Sequence, residues 1–537
     1  MTFDWHNPYP SYRTPLMARN VVATSHPLAT QAGVRMLMRG GSAVDAAIAT
    51  AAALTVVEPC SNGLGSDAFA IVADSGRLHG LNAAGLSPAA WSPQHFDSKH
   101  GAGPAMPKRG WDSVTVPGAV SAWVALHERF GRLPFADLLE PAIELAERGH
   151  AVAVTVAWKW ARAVPELQRE PGFAETFMPR GRAPEPGERF VFADAGRTLR
   201  RIAESRGEDF YRGETAARIA AHAREHGALL TETDLASHRC AWVDLIAQDF
   251  AGHTVHQIPP SGQGIAALMA LGILQHLPLA EQPVDSVLAQ HWQIEAMKLA
   301  FADTYRWVAD PRSMREVTAA DLLHPDYLRE RARLIRADRA SDFAHGTPPR
   351  GGTVYLSVAD ERGQMVSFIQ SNFWGFGSGV VVPGTGVSLQ NRGFGFTRER
   401  GHPNEVAGAK QPFHTIIPGF LTQGGRPRKA FGVMGDNMQP QGHVQTLVRL
   451  LQHRQHPQAA CDAPRWKVDT GLKVDLEPTM AAELQQGLMA LGHRFAPPAD
   501  GYMDFGSGQF IWRQGHEAED SYVAATDARR DGQVAGF

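Results

Sequence analysis

In this 537-residue chain, Thr353 is the residue whose type and place allow the most chemistry. It follows Arg350-Gly351-Gly352 and opens the run Thr353-Val354-Tyr355-Leu356-Ser357-Val358-Ala359-Asp360, so a hydroxyl stands where a glycine-rich linker meets a strand. There it can reach the peptide bond after Gly352. Were that bond cut, Thr353 would carry an α-amine, whose reference pKa of about 7.7 to 8.0 lets it take the proton of its own Oγ near neutral pH. Nucleophile and base would then share one residue. On the residues alone, the commoner reading of Gly-Gly-Thr before a strand is a plain turn.

Other chemistries lack their patterns. The chain has no GxSxG nucleophile elbow, no HExxH zinc helix and no Gly-Lys-[Ser/Thr] phosphate loop. Gly375, Gly377 and Gly379 match a dinucleotide fingerprint only in part, and they precede a strand-like run rather than a helix. In the glycine-punctuated loop Ser61-Asn62-Gly63-Leu64-Gly65-Ser66-Asp67, Asn62 and Asp67 either line a ligand or cap the loop. His414 either orients Thr415 or touches substrate, or is a satisfied structural histidine.

These groups must be positioned by a large globular body. Lys+Arg is 52 and Asp+Glu is 55, a net charge of −3, too near neutral for a nucleic-acid or anionic-membrane partner. With 44% hydrophobic and 20% charged residues the chain is not disordered. Three cysteines, Cys60, Cys240 and Cys461, lie far apart without CxxC spacing, which supports neither a zinc ribbon nor a disulfide scaffold. The N-terminus has no basic segment followed by an apolar one, and Ala46 to Val57 is too short to span a bilayer, so the cytoplasm is the expected compartment. No metal or organic cofactor is implied.

Apolar spacing predicts helices over 27–39, 42–57, 116–130, 134–149, 265–277 and 291–308. Residues 68–73 have strand composition. The segment 342–352 reads as a linker, after which 353–360 and 365–370 form a hairpin and 380–383 a further strand. A helical first two-thirds and a strand-rich last third suggest stacked sheets with helices outside.

An ordered series of motifs adds to this reading. Val22-Ala23-Thr24-Ser25-His26-Pro27, Gly40-Gly41-Ser42-Ala43-Val44-Asp45, Val57-Glu58-Pro59, Val116-Pro117-Gly118, Pro259-Pro260-Ser261-Gly262, Glu295-Ala296-Met297-Lys298, Thr353 to Asp360, Phe376-Gly377-Ser378-Gly379 and Gly435 occur in the order found in the γ-glutamyltransferase (glutathione hydrolase) family. The chain resembles that family over nearly its whole length. The resemblance implies an N-terminal-nucleophile hydrolase of α+β class with a four-layer αββα sandwich, made as one precursor that cleaves itself at Gly352/Thr353. Residues 1–352 would be the large subunit and 353–537 the small one, interleaved in one domain. The product would be a heterodimer, with a dimer of heterodimers as a further expectation. Thr353 would form an acyl ester with a small-molecule amide, Ser371 would hydrogen-bond and tune it, and the amides of Gly435 and Asp436, which fall on the family's paired glycines, would form the oxyanion hole.

The departures from the family pattern bear on substrate. The arginine that grips the substrate α-carboxylate falls on Ala84, the aspartate that holds the α-amine on Gly395, and the paired serines on His414 and Thr415. Arg392, within Gln390-Asn391-Arg392-Gly393, is gained, and its fork suits a carboxylate. This pattern resembles the branch containing glutathione hydrolase-like proteins, cephalosporin acylases and oxamate amidohydrolase. Arg392, Asn391, His414, Thr415 and Asn372 are therefore the expected substrate-binding residues. Two enzymatic readings follow, a γ-glutamyl amide hydrolase or acyltransferase, and an acylase on a non-glutamyl anionic amide. A non-catalytic relative is the third.

Overall fold

The computed structural model describes residues 13–343, 352–495, 505–515 and 521–537. Most of the linker expected before Thr353 and most of the N-terminal stretch read for a signal sequence lie outside the described residues.

α1 (Pro27–Met38) and α2 (Ala43–Val57) form where the apolar spacing places them. Ser42 starts α2 with a reciprocal cap: its Oγ accepts the Asp45 N–H at 3.1 Å, and the Asp45 carboxylate accepts the Ser42 N–H at 2.8 Å. Two donors that a helix start leaves open are thereby satisfied. Every residue of α2 is buried, as an apolar face all round demands. Gly33 lets α1 approach it, since a Cβ there would stand 2.3 Å from Thr50 Oγ1.

The middle of the molecule is two seven-stranded antiparallel sheets. The strands are β1 (Leu16–Ala18), β2 (Val21–Thr24), β3 (Asp67–Asp74), β4 (Arg77–Asn82), β5 (Ala241–Val243), β6 (Ile246–Phe250), β7 (His253–Gln257), β8 (Gly352–Ala359), β9 (Met365–Phe373), β10 (Gly419–Gln423), β11 (Arg426–Met434), β12 (Ser507–Arg513), β13 (Tyr522–Thr526) and β14 (Gln533–Gly536). One sheet runs β14-β2-β8-β9-β3-β4-β5, the other β1-β13-β12-β11-β10-β7-β6. Phe69, Ile71, Tyr355 and Ile369 of the first meet Phe420, Ala430, Met434 and Ile511 of the second in a buried layer. α1, α2, α3 (Ala119–Phe130) and α4 (Phe135–Arg148) pack in the apolar cluster outside the first sheet. α5 (Gly264–Leu274), α6 (Val287–Trp307) and α7 (Met438–Leu447) do so outside the second. The result is the expected four-layer αββα sandwich.

The expected division into a helical start and a strand-rich end is corrected. Among the described residues, seven strands of the two large sheets precede Gly352, and each of these sheets draws strands from both sides of that residue. β3 is buried on both faces and so shows no alternation, while β5 to β7 are short and partly exposed, which hid them from a periodicity reading.

Candidate active site

β8 and β9 are neighbours at the centre of the first sheet, and every residue of β9 is buried. Val354 stands opposite Gln370 but Gly352 opposite Phe373, so β9 carries one residue more than β8 over this interval. A bulge of this kind re-aims side chains at the end of a ladder. It brings Thr353 Oγ1, nearly fully buried, to 3.2 Å from Ser371 Oγ. Ser371 Oγ also accepts the Phe373 N–H at 2.8 Å, which fixes its direction. Phe373 holds a φ of +77°, a left-handed conformation that costs a residue with a Cβ about 1–2 kcal/mol. Such strain collects at functional sites.

Across the inter-sheet layer, Gly432 of β11 makes room for Tyr355 of β8, whose ring would lie 2.4 Å from a Cβ at that position. β11 then ends, and Gly435 and Asp436 turn the chain into α7 with φ of +125° and +54°. A Cβ at Gly435 would meet Gly506 Cα at 2.9 Å, so glycine is required on both counts. Among the described residues, neither the Gly435 nor the Asp436 amide has a protein acceptor. Gln263, at the start of α5, steadies this turn: its Nε2 donates to the carbonyls of Thr415 and Asp436, both at 2.7 Å. Sequence reasoning missed Gln263, although Pro259-Pro260-Ser261-Gly262 stood directly before it.

The charged centre is buried. Arg392 is fully buried, donates through Nη1 to Thr415 Oγ1 at 2.9 Å, and lies over the Phe373 ring at 4.6 Å. Its Nε and Nη2 donate to no group among the described residues. Burial pushes the Asp67 and Asp436 carboxyls each up to about 7, and Arg392 is the first of the groups that oppose this. Burial likewise brings Arg392 down to about 10, with Asp67 and Asp436 holding it up. His414 Nε2 stands 3.1 Å from Asp67 Oδ2. Desolvation, aided by Arg392, keeps that histidine neutral, so the contact is a hydrogen bond rather than an ion pair. Asp67 Oδ1 also accepts the Gly118 N–H at 3.1 Å, and Asp67 pairs with Ser371 in the β3–β9 register.

Thr353, Ser371, Phe373, Arg392, His414, Thr415 and Asp436 are thus linked through direct contacts and shared charge. Asn372 and Asn391 are directed elsewhere. Asn372 accepts the Ser66 hydroxyl at 2.8 Å and donates to Ser388 Oγ at 3.2 Å. Asn391 donates to Lys108 O at 2.8 Å and accepts the Trp374 N–H at 3.1 Å. Successive residues of a strand point to opposite faces, which is why Asn372 does not follow Ser371. Asn62 is likewise spent, donating to Leu54 O and Glu58 O and accepting Gln370. Ala84 sits in the layer between the sheets. At Gly395 a Cβ would be 2.4 Å from Phe413 O, so this backbone admits no side chain where the family pattern has an aspartate.

His291, Glu295 and His493 form a buried group of three metal-binding side chains. A cation is already there: Lys298 Nζ donates to Glu295 at 2.7 Å, and His291 and His493 bond each other at 2.8 Å. Among the described residues no helix is long and apolar enough to cross a membrane.

Comparison with known proteins identifies the family and the fold. Residues 29–537 match the gamma-glutamyltranspeptidase family. The chain is 36% identical over 451 residues to the glutathione hydrolase-like YwrD proenzyme of Bacillus subtilis, covering 83% of this chain and 85% of that one. It is 35% identical over 525 residues to the oxamate amidohydrolase proenzyme of Klebsiella pneumoniae, covering 95% and 97%. Its fold superposes on the crystal structure of a cephalosporin acylase from Bacillus halodurans with a TM-score of 0.95 at 46% identity, over 100% of this chain and 99% of that one.

Proposed function

This chain belongs to the gamma-glutamyltranspeptidase family, whose sandwich is of the N-terminal-nucleophile hydrolase type, and from that premise we propose that it cleaves itself between Gly352 and Thr353 and hydrolyses small acyl amides through Thr353. The observation that carries this is the Thr353–Ser371 contact of 3.2 Å, set by the β8–β9 bulge. Residues 1–352 and 353–537 form the working heterodimer.

In this reading the freed α-amine of Thr353 takes the Oγ proton, and Oγ attacks the amide carbonyl carbon. The Gly435 and Asp436 amides receive the developing oxyanion, a stabilisation of about 2.7–4 kcal/mol per donor in other hydrolases. The C–N bond breaks, the leaving amine takes the proton, and water or a second amine cleaves the threonyl ester. Ser371, held by the Phe373 N–H, positions Thr353 Oγ. Arg392 offers its open Nε and Nη2 to an oxygen of the acyl group, and Thr415 and His414 hold the arginine and Asp67 in place.

An acylase fits better than a γ-glutamyl hydrolase. Ala84 supplies no cation and Gly395 no carboxylate, and a buried ammonium without a counter-ion is costly. The first test is intact mass spectrometry of the purified protein beside Thr353→Ala. Two fragments meeting at Gly352/Thr353 in the parent, with one intact chain in the variant, are expected. A single intact chain in both would remove the amine that the mechanism needs.

A further inference from the structure

A cavity of about 350 Å³ is walled in part by residues close in sequence to Arg392 and His414. That is within the range of about 300–1,000 Å³ typical of small-molecule sites. Phe394 and Gly395, which follow Arg392, and Phe413, which precedes His414, form one wall, and Tyr305 of α6 forms another. The Phe394 ring centroid is 6.2 Å from that of Phe373, whose N–H holds Ser371 against Thr353. Phe394, Phe373 and Ser371 thus link the cavity wall to Thr353. Burial, with the Asp436 charge adding to it, keeps the Tyr305 phenol protonated.

Its chemistry is apolar. Met106, Val308 and Phe396 add apolar surface, Thr397, His402 and Asn404 add polar groups, and no Asp, Glu, Lys or Arg side chain takes part. Three polar side chains on the wall are committed to the backbone. Thr397 Oγ1 donates to Pro104 O at 3.4 Å and accepts the Glu399 N–H at 3.1 Å. Asn404 donates to Gly395 O at 2.6 Å and accepts the Phe413 N–H at 3.0 Å. His402 bonds Tyr305 O at 3.2 Å through Nε2 and accepts the Asn404 N–H at 3.0 Å through Nδ1. Gly395, which has no room for a side chain, keeps this wall free of charge.

We propose that this cavity receives the side chain of the acyl group, so that the preferred substrates are amides of acids bearing an aromatic or branched aliphatic side chain. This rests on the amide-hydrolase reading above. A charged glutamyl head would find no counter-ion here, whereas an apolar chain exchanges water for aromatic walls.

The test compares kcat/KM for phenylacetyl-, naphthylacetyl-, glutaryl-, γ-glutamyl- and acetyl-p-nitroanilide in the parent, Ala105→Trp and Phe394→Ala. Ala105 is exposed at the rim of the cavity, so a large side chain there narrows it without entering the core. One methylene in an apolar pocket is worth about 10–200-fold, so phenylacetyl should lead glutaryl and γ-glutamyl by about tenfold or more. By the same measure Ala105→Trp should lower phenylacetyl turnover about tenfold through KM and leave acetyl turnover within about twofold. Phe394→Ala, which widens the cavity, should favour naphthylacetyl over phenylacetyl and serves if tryptophan disturbs the fold. Turnover that ranks γ-glutamyl or glutaryl first, or that both variants leave in the parent's order, overturns this inference while the threonine reading stands. No release of p-nitroaniline from any of the amides, or release that persists in Thr353→Ala, overturns both.

Discussion

Replacing Arg392 by methionine removes the cation that two buried carboxyls share, and the consequence depends on pH. Asp67 and Asp436 each titrate at about 7 in the folded protein. In the unfolded chain an aspartate titrates at about 3.9. A carboxyl raised in this way contributes stability that is fully present below about 4 and lost as pH climbs to about 7. Beyond that point the parent levels off, because both carboxyls are ionised in both states. Without Arg392 both carboxyls move higher still, so the variant goes on losing stability above pH 7. The loss is about 1.4 kcal/mol per pH unit for each carboxyl that stays protonated in the variant but not in the parent. At pH 8.5 this is about 2 kcal/mol for one group and about 4 if both respond. At pH 5.5 the carboxyls are neutral in both proteins, and the variant loses about 1 kcal/mol with the bond to Thr415. It also relieves a desolvated guanidinium that then has no ionised partner. The assay is the thermal midpoint of Arg392→Met against the parent at pH 5.5, 7.0 and 8.5, both in a Thr353→Ala background so that the covalent state is the same. The offset should be small at pH 5.5 and widen steadily at high pH. A constant offset across that range would refute the electrostatic coupling of residues 67, 392 and 436.

Three further outcomes are expected. Ser371→Ala should lower kcat about 10–100-fold with KM little changed, the worth of one hydrogen-bond partner at the nucleophile, as read by steady-state kinetics on an acyl p-nitroanilide. Gly395→Asp should not restore γ-glutamyl turnover, because its Cβ would meet Phe413 O at 2.4 Å. It should instead cost about 1–3 kcal/mol of stability, seen as a lower thermal midpoint. Gln263→Leu strips the shared donor from the carbonyls of Thr415 and Asp436, so kcat should fall while self-cleavage still yields two fragments on a denaturing gel.

Much of the framework was legible from local pattern. The cap formed by Ser42 and Asp45, the apolar run of α2 and the alternation from Thr353 to Asp360 each report their own secondary structure, because capping and burial periodicity are properties of neighbours in the chain. The resemblance also pointed to Thr353 and Ser371, which the structure sets 3.2 Å apart, and to the Gly435–Asp436 turn. The roles of Asn372 and Asn391 were not legible: whether an amide faces the nucleophile or a neighbouring loop depends on which face of a strand it occupies and on what lies opposite. The same holds for Gly395. The sequence shows a glycine where an aspartate was expected, but only the packed backbone shows that Phe413 O closes the position.

What tertiary structure alone decided is the electrical and steric character of the site. Arg392 reads as a fork for a substrate anion, and folding adds that its charge acts on Asp67 and Asp436, which come from distant segments of the chain. Gln263 reaches the same centre from the segment before the expected cleavage point, where no motif marked its side chain. Self-energy in a dry interior and the spacing of charges fix whether a carboxyl is ionised and whether a cavity is apolar, and neither quantity is a property of residues adjacent in the chain.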